Sequence, residues 1–229
     1  MASLVQSHPV LSGRDFIYDP PQQHVSVIYE DDSLILVDKP AGLLSVPGKA
    51  PEHQDCLEQR VKQKFDDALL VHRLDMATSG IMVFARNARA HRHLGLQFER
   101  RHVEKTYIAH IWGRLKSPKG QIDLPLICDW PNRPMQKVDF DAGKKAKTDW
   151  EVLKELNDCT IVRLTPLTGR SHQLRVHMNE QGCPILGDRL YAHEDAFKKT
   201  PRLMLHAESL SIFHPDGGQR HQFEAPVPF

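Results

Sequence analysis

Val71-His72-Arg73-Leu74-Asp75-Met76-Ala77-Thr78-Ser79-Gly80 lies between two apolar runs, Ala68-Leu69-Leu70-Val71 and Ile81-Met82-Val83-Phe84-Ala85. The runs have the length and content of core strands, so the segment between them is expected to be a loop closed by a Thr78-Ser79-Gly80 turn. Three ionisable residues, His72, Arg73 and Asp75, therefore sit where apolar side chains would be cheaper. A carboxylate in such a place must be paired, hydrogen-bonded or open to a cleft. A loop between rigid strands is also a common position for catalytic groups. A structural turn, or an ion pair with Arg73, would explain Asp75 as well.

The flanking segments set the fold class. Val25–Tyr29 and Leu34–Asp38 read as a strand hairpin around Glu30-Asp31-Asp32-Ser33. Lys39-Pro40-Ala41-Gly42-Leu43-Leu44-Ser45-Val46-Pro47-Gly48 reads as an irregular loop that covers the core, with Lys39 a possible phosphate contact. Helical spacing spans Gln54–Phe65, through Leu57, Val61 and Phe65. Asn87 is placed to cap a helix running to about Arg101, with Leu94, Leu96 and Phe98 as its apolar stripe. Val103–Trp112 is a long strand, and Thr148–Leu156 with Thr160–Pro166 is a strand pair. Leu124–Pro134 is too irregular for a regular element. Ser171 is expected to cap a helix ending near Gly182. Adjacent strands joined by short turns, with few helices, give an α+β class with a mostly antiparallel sheet.

Composition bounds the partners. The 229 residues hold 30 basic and 29 acidic side chains, for a net charge of +1, so a polyanion would need a local patch. Such a patch is available from Arg86, Arg89, Arg92, Arg100 and Arg101, with Lys144, Lys145 and Lys147. Arg170, His172, Gln173, Arg175 and His177 add donors at a helix start, suited to a phosphate or to the carboxylate of Asp75. No apolar run approaches the roughly 20 residues of a membrane helix. The start lacks the pattern of a signal peptide. Cys56, Cys128, Cys159 and Cys183 are widely spaced and expected to be reduced thiols, so a cytoplasmic protein is expected. His91-x-His93 lacks further ligands at the usual spacing, so no metal site is expected.

Five segments taken together resemble the RluA-type RNA pseudouridine synthases. They are His72-Arg73-Leu74-Asp75 with Thr78-Ser79-Gly80, Lys105-Thr106-Tyr107, Gly169–His177, Leu205-His206-Ala207, and Lys39-Pro40-Ala41-Gly42-Leu43-Leu44. Leu124–Pro134 is similar to the branch that acts on both tRNA and 23S rRNA. The resemblance implies one catalytic domain over residues 25–229, with a central mixed sheet and an RNA-binding cleft across it. Residues 1–24 would be an arm, too short for the S4 RNA-binding domain that many relatives carry. It further implies no cofactor and RNA as partner; a monomer is expected.

The same resemblance gives the site residues their roles. Asp75 would be the nucleophile, kept ionised by Arg175, since a nearby arginine favours the charged form. Tyr107 would stack on the uracil and act as an acid or base, and Leu205 would pack on the other face. Arg73 would hold the flipped nucleotide, with His72 and Arg170 also on the substrate. Two other functions fit parts of the sequence. A non-catalytic RNA-binding protein would explain the basic segments but gives Asp75 no reason to be there. A base-releasing hydrolase, using His72 with Asp75 or two carboxylates, would need a second acid near Asp75.

Overall fold

The computed structural model describes residues 17–229, so most of the expected arm, residues 1–16, lies outside the described residues. The chain runs β1 (Ser26–Glu30), β2 (Leu34–Lys39), α1 (Leu57–Lys64), β3 (Leu69–Leu70), β4 (Ser79–Ala85), α2 (Ala88–Glu99) and β5 (Glu104–Trp112). It continues β6 (Lys119–Asp123), β7 (Leu126–Cys128), β8 (Gln136–Val138), β9 (Lys147–Glu155) and β10 (Cys159–Pro166). It closes with α3 (Gln173–Glu180), α4 (Glu194–Lys198), β11 (Leu205–Phe213) and β12 (Arg220–Glu224). Ten strands form one sheet, in the path β1-β2-β4-β11-β5-β10-β9-β6, with β3 on β4 and β12 on β11. Only β4 and β11 pair in parallel, so the sheet is mixed and mostly antiparallel, as the α+β reading expects. β7 and β8 make a separate hairpin.

The apolar runs fix which faces are covered. Every residue of β4 is buried. Its alternate residues Ile81, Val83 and Ala85 join Leu34, Leu36, Ala90 and Leu94 on the α2 side. Met82 and Phe84 join Ile35, Val37, Leu57 and Val61 on the α1 side. A strand covered on both faces loses the polar alternation of an edge strand, which is why 81–85 reads as one apolar run. Each such side chain contributes roughly 1.5–3 kcal/mol by leaving water. The third core lies under β5 and β10, where Ala109, Ile111, Val162 and Leu164 meet Leu174 and Met178 of α3.

The parallel pair positions the site. β4 and β11 start at the same sheet end, with Ser79 opposite His206 and Gly80 opposite Ala207. Gly80 has φ +118°, and a Cβ there would fall 2.3 Å from the Ala207 carbonyl oxygen, so the close approach of the two strands requires glycine. On the other side of β11, Ala207 faces Tyr107 and Leu205 faces Ala109 of β5. The loop before β4, the start of β11 and the middle of β5 thus come together on neighbouring strands at the centre of the sheet.

Several local expectations are corrected. Ser171 does not cap α3. The helix starts at Gln173, after His172 in the left-handed region at φ +53°, and the Gln173 side chain closes the turn instead. Its Oε1 accepts from the Arg170 N–H at 3.0 Å and from the Thr168 hydroxyl at 2.7 Å. Asn87 does cap α2, accepting from the Ala90 N–H. The buried line of α2 is Ala90, Leu94 and Gln97, while Leu96 is exposed, because the helix turns it away from β4. The irregular 124–134 stretch holds the short strand β7.

Candidate active site

Asp75 sits in the loop between β3 and β4, and two side chains of the 39–45 segment clamp the backbone on either side of it. Buried Lys39 donates to the carbonyls of Pro40, Leu43 and Met76 at 2.9, 2.7 and 2.9 Å. Ser45 Oγ donates to the Leu74 carbonyl at 2.6 Å and accepts from the Leu74 N–H at 3.1 Å. The Thr78 N–H closes the turn onto the Asp75 carbonyl at 3.1 Å. Lys39 is therefore not a phosphate contact. Burial pulls its ammonium down to about 7, partly offset by Asp75, and its three protons meet three carbonyls beneath the loop.

The loop opens on a cleft of about 780 Å³ whose lining includes Asp75, Tyr107, Arg175, Arg73, His72, Arg170 and Leu205. All seven site residues expected from the sequence are thus brought together. Arg175, 5% exposed, places Nη1 3.6 Å from Asp75 Oδ2. Its other edge is fixed by Asp188, which accepts from Nε at 2.7 Å and Nη2 at 2.6 Å. Burial alone would lower the Arg175 pKa, but Asp188 and Asp75 outweigh it and raise it. Burial, and secondarily Asp75, pushes the Tyr107 phenol well above its ordinary value, so at neutral pH it is a proton-bearing group. His72 turns its Nε2 to the Val83 N–H at 3.1 Å and stacks on Phe98. Burial and the nearby Lys105 bring His72 down to about 3, so it stays neutral.

Two residues of the site carry no signal that sequence reasoning used. Asp188, 1% exposed, saturates its oxygens with Arg175 and the Leu190 and Tyr191 N–H groups. Tyr191 Oη accepts from the Gln136 N–H at 2.8 Å and lies 2.7 Å from His172 Nδ1. With the phenol donating to Nδ1, the Nε2–H of His172 faces Asp75 Oδ2 at 4.0 Å. Burial and Arg175 lower the His172 pKa, which suits this neutral ring. The Leu186-Gly187-Asp188 stretch could have been marked as a buried turn with a carboxylate needing a partner.

The charge of the cleft differs from that of the whole chain. Arg73, Lys105, Arg133, Arg170 and Arg175 line it against Asp75, the single lining carboxylate among the described residues. Such a surface accepts a polyanion and leaves one nucleophilic or basic oxygen pair exposed to it. The basic patch expected on α2 is smaller than the sequence suggests. Arg86 pairs with Asp67 and Arg89 with Asp216, and across the cleft Lys147 pairs with Asp123. His91 and His93 are each engaged locally, with the Leu70 carbonyl and Gln97.

Residues 33–180 match the RNA pseudouridylate synthase family model. The chain belongs to the RNA pseudouridylate synthase family. It is 51% identical over 214 residues to the dual-specificity RNA pseudouridine synthase RluA of Escherichia coli K12, covering 93% of this chain and 98% of the relative. The protein of the same name from Haemophilus influenzae is also 51% identical over 93% of this chain. Among solved structures, human RNA pseudouridylate synthase domain containing 1 superposes with a TM-score of 0.77 at 26% identity, over 92% of this chain and 87% of the human one. The family assignment makes the chain an RNA pseudouridine synthase, an isomerase acting on RNA. The cleft geometry argues against the hydrolase reading in particular. His72 is turned away onto a backbone N–H, and no second carboxylate lines the cleft among the described residues.

Proposed function

We propose that this pseudouridine synthase isomerises a uridine in a 23S rRNA hairpin loop and one in the tRNA anticodon stem-loop, with Asp75 as the nucleophile. The observation that carries the reading is the one cleft carboxylate among the described residues, 3.6 Å from a buried arginine and amid four further cations. The C1′–N1 bond of uridine breaks, the base turns, and a C1′–C5 bond forms. C5 loses a proton and N1 carries one, so composition is unchanged and no cofactor is called for. Asp75 supplies the electron pair that supports the separated base and sugar. Arg175 balances and orients that carboxylate. Tyr107, holding its proton, packs against the uracil and serves as hydrogen-bond donor or acid, and Leu205 covers the opposite face. Arg73, exposed at the cleft mouth, would hold the nucleotide flipped from its stack, with Arg170 and the neutral ring of His72 against the same substrate.

Relatives named for dual specificity support the two-substrate part, and a cationic cleft that takes one flipped nucleotide suits a loop shared by both RNAs. The same reading has residues 25–229 act as one catalytic domain, in the cytoplasm and as a monomer. Short hairpins copying the tRNA anticodon stem-loop and the matching 23S rRNA loop, incubated with the protein and mapped for pseudouridine, test it. Both hairpins are expected to be modified at one uridine each. Modification of intact ribosomal RNA with neither hairpin reacting would overturn loop recognition.

A further inference from the structure

The β7–β8 hairpin carries an exposed aromatic ring at the rim of the cleft. Trp130 is 65% exposed although it is the largest apolar side chain of its segment. Arg133 lies over one face of the indole, 4.8 Å from the ring centre, and also lines the cleft that holds Asp75. The tip is rigid. The Asp129 N–H donates to the Met135 carbonyl at 2.9 Å, and Asn132 donates to Asp129 from its backbone at 2.9 Å and its side chain at 2.8 Å. The hairpin is tied to the site by the Gln136 N–H on Tyr191 Oη. Lys144 and Lys145 stand beside it, exposed and without an ion pair among the described residues.

We propose that Trp130, backed by Arg133, is a stacking platform for one unpaired base of the RNA loop, next to the uridine being isomerised. The proposal rests on the RNA reading of the cleft given above. An exposed indole with a guanidinium on one face and cations around it has the character of a single-stranded RNA contact: the ring takes the face of a base and the cations take the phosphates. A ring carried on a hydrogen-bonded turn and backed by a guanidinium needs less ordering on binding than one on an unsupported loop. It reads an unpaired base by its presence more than its identity, because every base has a stacking face. The platform would thus favour loops over duplexes, and it extends substrate recognition to a hairpin that does not touch the reacting atoms.

The test compares wild type with Trp130→Ala and Trp130→Phe on hairpin RNAs in which each loop base in turn is replaced by an abasic site. Trp130→Ala should lower kcat/KM roughly ten- to a hundredfold, through KM, with Trp130→Phe recovering most of it. At one loop position the abasic penalty seen with wild type should disappear in Trp130→Ala. Equal penalties at every position in both proteins would overturn the platform. Titration of tryptophan fluorescence with the same RNAs gives a readout independent of turnover: binding should quench wild type, and the quench should vanish in Trp130→Ala. A wild type that made no pseudouridine would defeat the proposed reaction, while persistence of the quench in Trp130→Ala would defeat the platform.

Discussion

Arg175 holds Asp188 with two nitrogens, at 2.7 and 2.6 Å, and this leaves Nη1 alone to face Asp75 at 3.6 Å. The guanidinium plane is thus set from behind by a carboxylate that does not line the cleft. A planar fork held at two points keeps the third nitrogen in place without help from substrate.

Replacing Asp188 by Asn should therefore act on stability and activity together. The neutral amide can satisfy the fork with only one oxygen and leaves the buried guanidinium with the part-exposed Asp75 as its remaining counter-charge. Breaking one side of such a pair costs about 3–5 kcal/mol. Urea denaturation should show that loss, and pseudouridine formation should fall because Arg175 no longer holds its direction. Unchanged stability would mean that the pair is not formed in solution.

Asp75→Asn should behave in the opposite way. Asp75 is 28% exposed in its side chain and sits in a loop held by backbone contacts from Lys39 and Ser45. The substitution keeps size and loop geometry and removes the nucleophile. Thermal unfolding and RNA affinity should stay near wild type, while tritium release or pseudouridine mapping should show no product. Activity above a few per cent of wild type would remove Asp75 from the chemistry.

The contrast between these two aspartates shows what the sequence made legible. Asp75 stands out because it interrupts apolar runs that become β3 and β4, and because its neighbours match a family pattern. The strand order of the hairpins follows from local turns, and β1–β2 and β9–β10 fall where alternation places them. What stays hidden depends on distant pairing. Nothing near Asp188 says that its partner is Arg175, and nothing near Lys39 says that its acceptor is the Met76 carbonyl on the far side of α1. Lys39 reads as a cation on a loop only until the fold buries it. The Ser171 cap fails for a related reason: the Gln173 N–H donates to the Arg170 carbonyl at 3.2 Å, and the Gln173 side chain reaches back to the Arg170 N–H and the Thr168 hydroxyl.

His206 gives a pH dependence of stability unrelated to catalysis. Arg202 donates to Ser79 Oγ, Ser79 lies 2.9 Å from Nδ1 of His206, and Nε2 lies 3.3 Å from the Ala225 carbonyl. The chain of donors is complete only with a neutral imidazole, and burial brings its pKa from 6.5 down to about 4. The unfolded chain then binds more protons than the folded one between those values. Stability is present above the unfolded value and lost as pH falls towards 4, at no more than about 1.4 kcal/mol per pH unit. His206→Gln should be less stable than wild type at pH 7 and should lose less on going to pH 5. Equal losses in both proteins, by urea denaturation, would show that His206 does not titrate in this window.

Cations that are free and cations already paired should differ in what they contribute to RNA binding. Arg86 and Arg89 look like part of a basic surface in the sequence, yet they face Asp67 and Asp216, whereas Lys144 and Lys145 have no carboxylate partner among the described residues. A phosphate contact releases counterions, so each one contributes roughly 0.7–0.9 to the slope of log affinity against log salt. Replacing Lys144 and Lys145 together by Gln should weaken binding of both hairpins by a similar factor and flatten that slope by roughly one to two. Replacing Arg89 by Gln should leave the slope unchanged, since the side chain is held by Asp216 and no phosphate contact is lost. Filter binding between 50 and about 300 mM salt reads both variants against wild type. A flattened slope for Arg89→Gln with an unchanged one for Lys144→Gln/Lys145→Gln would move the RNA path from the β7–β8 side of the cleft to the α2 side.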